Sequence, residues 1–304
     1  MGYPEFREEI LIGLSDLLPK NIRVQIISVE KLNSCLRYGI CFHKEGVPYA
    51  PTIYLEPFYR SFQCGRSMDE IVRELYRCYE EETAEVPESI YRLDSFQSAK
   101  KDIFCKLIHI EENINLLKDT PHLVYLDFAI VPYFEVNNDQ IFKGSVLLKK
   151  QHVDTWDIST DELLKWALTN TREKKGVLFV PMSDVLTAYI SEEDGELYER
   201  ARTGMFVLTN REKYLGAVLV YFPEVLKDVF RTIKEDFYLL PSSVHEWVVV
   251  PASCVEDREL LFASVSCIND SEVLEEEVLS NNVYYYSSSS QKIYVFTPLN
   301  TKND

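Results

Sequence analysis

The chain has 304 residues, 46% of them hydrophobic and 12% aromatic, with a formal net charge of −17 at pH 7. That length and apolar content suit one large domain or two ordinary ones around a packed core, and they exclude a disordered chain. The charge excludes a general nucleic-acid binder, which needs a basic field to displace phosphate counterions. No apolar run reaches the roughly 18 residues of a membrane-spanning helix.

The opening Met1-Gly2-Tyr3-Pro4-Glu5 carries an acid where a secretory signal needs basic and then apolar residues, and Phe6 stands where a myristoylation signal needs Ser or Thr. The seven cysteines are an odd number and include no Cys-x-x-Cys pair, so reduced thiols are expected, without a metal or a cofactor. The expected setting is the cytoplasm, with no membrane and no nucleic acid as partner. Acids cluster at Glu80–Glu82, Glu192–Asp194 and Glu275–Glu277. Solvated helix ends and loops explain them; docking on a basic partner, or mimicry of a nucleic acid, is the sharper alternative.

In chain order, Phe6, Ile10, Leu14, Leu17 and Leu18 recur at helical spacing until Pro19. Strands are predicted over Arg23–Val29 and Leu36–Phe42, and an extended entry with a helical turn over Pro51–Tyr59. Ser67-Met68-Asp69-Glu70 has the form of a capping box, opening a helix that runs to about Glu82. Thr83–Ser98, aperiodic and containing Pro87, is the candidate linker. It suggests an N-terminal α+β segment over 1–95 and a larger α+β domain over 96–304.

The second segment should begin with a strand over Ile103–Ile108 and a short helix over Glu111–Lys118. A long strand over Leu123–Val136 and another over Ser145–Lys149 would form a hairpin around Asn137–Gln140. Ser159-Thr160-Asp161-Glu162 is a second capping box. Strands follow at Val177–Val180, Met205–Thr209 and Ala217–Tyr221, the last two joined by a polar hairpin loop at Asn210–Lys213. Pro223 opens a helix, and two more helices are expected over Glu256–Val265 and Glu272–Leu279. Val283–Tyr286 and Ile293–Phe296 read as a terminal hairpin. Helices and hairpins alternate without the rhythm of a parallel sheet. The expected fold is therefore α+β, with mainly antiparallel sheets and helices packed on them.

Most chemical motifs fail on residue type. No glycines are grouped as phosphate binding requires. Gly65–Asp69 resembles a nucleophile elbow, but Asp69 replaces the final glycine and Ser67 suits a cap better. His109-Ile110-Glu111 lacks the cysteines of a zinc deaminase, and Val249 takes the place of a second zincin histidine after His245-Glu246. His43, His122 and His152 read as turn or edge residues. Trp156 and Trp166 flank the second capping box; Trp156, like Trp247, is also a candidate ligand contact.

Pro241-Ser242-Ser243-Val244-His245-Glu246-Trp247 is where nucleophile, base and acid types crowd together. As chemistry, Ser242 or Ser243 would attack, His245 would act as base, and Glu246 or a remote acid such as Asp127 or Asp154 would orient it. Side chains adjacent in sequence diverge, however. The more economical reading makes Ser243–Glu246 a third capping box over one helical turn.

Ala50–Leu55, Glu112-Asn113 with Pro121-His122, Trp156–Ser159, Val207–Asn210 and Leu240–Glu246, taken in that order, resemble an uncharacterised bacterial domain-of-unknown-function family of about this length. The resemblance implies a cytoplasmic protein folded as one unit and carries over no active site. The expected function is a non-enzymatic binding or interaction protein with a protein or small-molecule partner. The alternative is a hydrolase or transferase using Ser242 or Ser243 with His245.

Overall fold

The computed structural model describes residues 1–44, 52–82, 88–138, 142–186 and 204–296. The acids Glu192–Asp194, Pro87 in the candidate linker, Ala50 and Pro51, and the centre of the 137–140 turn lie outside the described residues. The fold is α+β, in two compact units, Met1–Tyr91 and Arg92–Asp304.

In the smaller unit, helix α1 (Tyr3–Leu17) buries Phe6, Ile10 and Leu14 at helical spacing. Strands β1 (Ile22–Glu30), β2 (Leu36–Lys44) and β3 (Thr52–Tyr54) form an antiparallel sheet. Gly39 is required where β3 crosses: a Cβ there would meet Thr52 Cγ2 at 2.2 Å. Helices α2 (Glu56–Gln63) and α3 (Met68–Glu82) complete the unit, with Ile71 and Leu75 of α3 joining Ile40 and Phe42 in its core. The capping box at Ser67 forms: the Glu70 amide donates to Ser67 Oγ at 3.4 Å, and the Ser67 amide to Glu70 Oε2 at 3.1 Å. Ser67 is thereby engaged as a cap.

The larger unit begins with helix α4 (Phe96–Ala99) and strand β4 (Ile103–His109), followed by the short α5 (Ile114–Leu117). The expected long strand divides into β5 (Leu123–Tyr125) and β6 (Phe128–Asn138), because Leu126 takes φ 56° and folds the chain back on itself. Strand β6 pairs antiparallel with β4, with β5 and with β7 (Phe142–Leu147).

Helix α6 (Lys150–Trp156) precedes α7 (Thr160–Lys174), which Ser159 caps by accepting from the Glu162 amide at 3.1 Å. Polar pins hold α7 to β4. Asn170 Nδ2 donates to the Ile103 carbonyl at 2.9 Å, and the Cys105 amide donates to Thr171 Oγ1 at 2.8 Å.

Strand β8 (Leu178–Pro181), helix α8 (Met182–Leu186) and strand β9 (Phe206–Thr209) lead to the main departure from expectation. Gly216–Tyr221 forms a 3₁₀ turn, not a strand. Asn210 closes the preceding loop on itself: its Oδ1 accepts from the amides of Glu212 and Tyr214, and its Nδ2 donates to the Tyr214 carbonyl. Local side-chain bonding of this kind competes with a strand ladder.

Helix α9 (Pro223–Ile233), strands β10 (Phe237–Ser243) and β11 (Glu246–Pro251), helix α10 (Arg258–Ser271), and strands β12 (Val283–Ser287) and β13 (Lys292–Phe296) follow. The helix expected over Glu272–Leu279 shortens to a 3₁₀ turn, Glu275–Glu277; a full helix would set Glu272 against Glu275 and Glu276 as like charges at i,i+3 and i,i+4.

The six-stranded antiparallel sheet runs β13-β12-β10-β11-β9-β8. Tyr238 and Leu240 pair with Val250 and Val248, and this face packs under α10 through Phe262 and Val265. The alternate residues, among them Phe237, Trp247, Tyr284 and Tyr286, belong to the other face. There Trp247 meets Phe128 edge-on at 5.9 Å and Tyr284 at 5.2 Å, which joins the sheet to β6. No helix of the described residues is long and apolar enough to cross a membrane.

Candidate functional site

The segment 241–247 is the tip of the β10–β11 hairpin. Pro241 pairs with Trp247 and Ser243 with Glu246 across a register shift, leaving Val244 and His245 as the turn. No helical turn forms, so the expected third capping box does not exist. Ser243 Oγ accepts from the His245 amide at 3.1 Å, one residue short of a box, and Ser242 Oγ donates to Glu246 Oε1 at 3.4 Å. The physical reason is the pair of apolar runs on either side, which gain more as paired strands than a one-turn helix could return.

His245 is knitted into its surroundings. Its Nδ1 accepts from the Leu215 amide at 2.9 Å, its Nε2 lies 3.3 Å from Glu277 Oε1, and its ring stacks on Tyr214 at 5.3 Å. The carbonyl of the same residue accepts from the Gly216 amide at 3.0 Å and from Thr209 Oγ1 at 2.8 Å. Gly216 allows this approach: a Cβ would lie 2.8 Å from that carbonyl oxygen. A general base needs a lone pair aimed at the proton it removes. Here the Nδ1 lone pair is taken by an amide and the Nε2 hydrogen faces a carboxylate. Glu277 is the acid beside His245; Asp127 belongs to a different cluster, and Asp154 lies on α6.

The tryptophan candidates lie in or at the edge of the core. Trp247 is 1% exposed and donates its indole N–H to the Ala217 carbonyl at 2.8 Å. Trp156 is also buried and donates to the Leu93 carbonyl at 2.9 Å, beside Phe96 and His152. Trp166 is partly exposed, with the Lys100 ammonium 5.1 Å from its ring.

Two polar clusters form that no sequence motif joins, although Asp127 and His109 are each candidates singly. Lys175 is buried against Glu135 and Glu212, the latter at 2.8 Å, with its ammonium 4.0 Å from the Phe104 ring centroid. The second cluster centres on Asp127, whose Oδ2 accepts from Tyr284 Oη at 2.7 Å and Asn282 Nδ2 at 2.8 Å, with His109 Nε2 at 3.6 Å. Burial pushes the Asp127 carboxyl up, but the bonds from His109, Tyr284 and Asn282 outweigh it and hold the group below its usual value. Burial, reinforced by the Asp127 charge, pushes the Tyr284 phenol well up. Neither cluster has a sequence signature, because partners such as 127 and 284 meet only through tertiary structure.

A cleft of about 560 Å³ opens between α10 and the sheet face beneath it. Leu240, Val248 and Val250 supply its sheet wall, and Leu261, Val265 and Ile268 its helical wall. Leu260 and Ile268 remain 65% and 48% exposed beside it. The charged residues in its lining are carboxylates, Glu256 and Asp257, and Ser242 is its link to the hairpin tip. The signal available in the sequence was the spacing 260, 261, 265 and 268, an apolar stripe longer than one sheet face requires. Among the described residues no group of three His, Cys, Asp or Glu side chains could hold a metal ion.

These features define an α+β protein of antiparallel sheets whose larger unit carries an apolar, acid-rimmed cleft beside a fully bonded hairpin tip. The chain belongs to a family of unknown function, DUF5688, whose profile matches residues 3–288. No curated protein and no solved structure matches it.

Proposed function

We propose that this is a non-enzymatic binding protein of the cytoplasm whose α10 cleft takes an apolar guest of small-molecule size bearing a positive charge. The carrying observation is the lining itself: apolar walls from two elements, with charge supplied by Glu256 and Asp257 alone. The volume of about 560 Å³ falls in the range that holds drug-sized ligands. Seven free thiols suit a reducing compartment. The alternative, a hydrolase or transferase using Ser242 or Ser243 with His245, would need a histidine nitrogen facing a hydroxyl. Both nitrogens of His245 have other neighbours, the Leu215 amide and Glu277.

Titration calorimetry with decylammonium and decanoate tests the reading. Decylammonium should bind and decanoate should bind at least about tenfold more weakly, as opposite signs of charge beside two carboxylates require. Ser264→Trp, at an exposed position of α10 lining the cleft, should abolish binding by filling it. Equal affinity for the two chains, or a Ser264→Trp variant that binds as well as the parent, overturns the proposal.

A further inference from the structure

The opposite face of the six-stranded sheet carries a second, smaller cleft of about 280 Å³ with the reverse character. Four separate stretches of chain build it: Tyr125 and Leu126 at the β5–β6 turn, Tyr221, Pro223, Leu226 and Lys227 around the start of α9, Tyr286 of β12, and Gln291 to Ile293 entering β13. Tyr286 and Ile293 are register partners, so both belong to the face that includes Phe237.

Three tyrosines give the cleft aromatic walls. Tyr125 stands edge-on to Tyr221, with ring centroids 5.2 Å apart at 86°, and is fixed by donating to the Val220 carbonyl at 3.1 Å. Burial pushes its phenol up to about 12, so it stays neutral across the physiological range. Tyr286 is only 3% exposed and is backed by Phe237 at 4.8 Å. Its hydroxyl has no hydrogen-bond partner among the described residues. The hydroxyl is not sealed in the core but reaches the open side of the cleft, where it can donate to a polar atom of a guest.

The charge in the lining comes from Lys227 and Lys292, both exposed, and the lining contains no acid. Among the described residues neither ammonium has a carboxylate within 4 Å. On a chain with net charge −17, two unpaired cations beside one aromatic cleft form a local positive site in a negative field.

We infer that this cleft binds a small aromatic anion of one or two rings, its ring against Tyr125 and Tyr221 and its negative group toward Lys227 and Lys292. The volume, at the lower limit for ligand pockets, sets the ring count. The free Tyr286 hydroxyl supplies a neutral donor to the same negative group. A carboxylate and a phosphate ester share this chemistry.

Calorimetry on the full chain with 1-naphthoate, 1-naphthyl phosphate and neutral 1-naphthylmethanol tests the site. At least one anion should bind, at least about tenfold more tightly than the alcohol, and should weaken as salt rises. The stronger of the two names the group. Lys227→Ala with Lys292→Ala should weaken the anion at least about tenfold while leaving decylammonium binding at the α10 cleft unchanged. The two sites can therefore fail independently. Absence of binding by both anions, or a double lysine variant that binds as tightly as the parent, overturns the inference.

Discussion

The two clefts of the larger unit lie on opposite faces of one sheet and differ in nearly every respect. One is wide, aliphatic and rimmed by Glu256 and Asp257; the other is narrow, aromatic and flanked by Lys227 and Lys292. What they share is charge at an apolar surface: Glu256, Lys227 and Lys292 have no ion-pair partner among the described residues, while Asp257 accepts from the Glu259 amide at 2.9 Å as the cap of α10. The hairpin tip between Pro241 and Trp247, far richer in reactive residue types, has its polar groups bonded to neighbouring chain. Polar groups already satisfied inside the protein stabilise it, while those left open at a concave surface are available to a guest. Chemical richness in sequence is a poor guide to which is which.

The strongest way to break this comparison sets two lysines against each other. Lys175 is buried and paired with Glu135 and Glu212, whereas Lys227 is exposed and unpaired among the described residues. Lys175→Met should cost about 3–5 kcal/mol in urea unfolding, because it strands Glu135 in the core. A second change, Glu135→Leu, should restore most of the loss, since replacing both partners removes the uncompensated charge. Lys227→Ala should alter stability by less than about 0.5 kcal/mol, as expected of an exposed position. A Lys227→Ala cost equal to that of Lys175→Met would mean that the cleft cation is structural.

The Asp127 cluster should show an intermediate effect with a defined pH dependence. Its carboxyl is held below the usual range in the folded state. The stability it contributes is therefore present above the unfolded carboxylate value, about 3.9, and is lost as pH falls through the lower folded value. Asp127→Asn should lower stability at pH 7 by about 1–3 kcal/mol through the weakened bonds to Tyr284 and Asn282. The gap between the two proteins should narrow below about pH 4. Thermal melts of both from pH 7 to pH 2 check this; a gap that widens on acidification would reverse the assigned direction.

The sequence carried the α+β class and most of the antiparallel pairs, because strands such as β1 and β2 announce themselves by composition and β12 and β13 by a short serine loop. It carried the caps at Ser67 and Ser159, where an amphipathic helix follows each. The same Ser-x-x-Glu pattern misled at Ser243, where a local signal competed with the ladder of β10 and β11 and lost. Ala217–Tyr221 misled for the opposite reason, since its apolar run is buried by tertiary contacts and not by strand pairing. Neither cleft was legible as a whole: the stripe at 260, 261, 265 and 268 hinted at one wall of the α10 cleft, whose lining runs from Met182 to Ile268, and the smaller cleft joins stretches as far apart as Leu126 and Ile293.

The smallest expected effect separates the two serines of the hairpin tip. Ser243 is buried and its hydroxyl accepts from the His245 amide at 3.1 Å, holding the turn that carries the imidazole to Leu215 and Glu277. Ser243→Ala leaves that amide without its partner and should cost about 0.5–1.5 kcal/mol. Ser242 is half-buried, and its bond to Glu246 at 3.4 Å is at the long limit for hydroxyl donors. Ser242→Ala should therefore change stability by less than about 0.5 kcal/mol. Because Ser242 lines the α10 cleft, Ser242→Trp should reduce decylammonium binding even though Ser242→Ala does not. A stability loss at Ser242 as large as that at Ser243 would make both serines part of the turn and take Ser242 out of the binding surface.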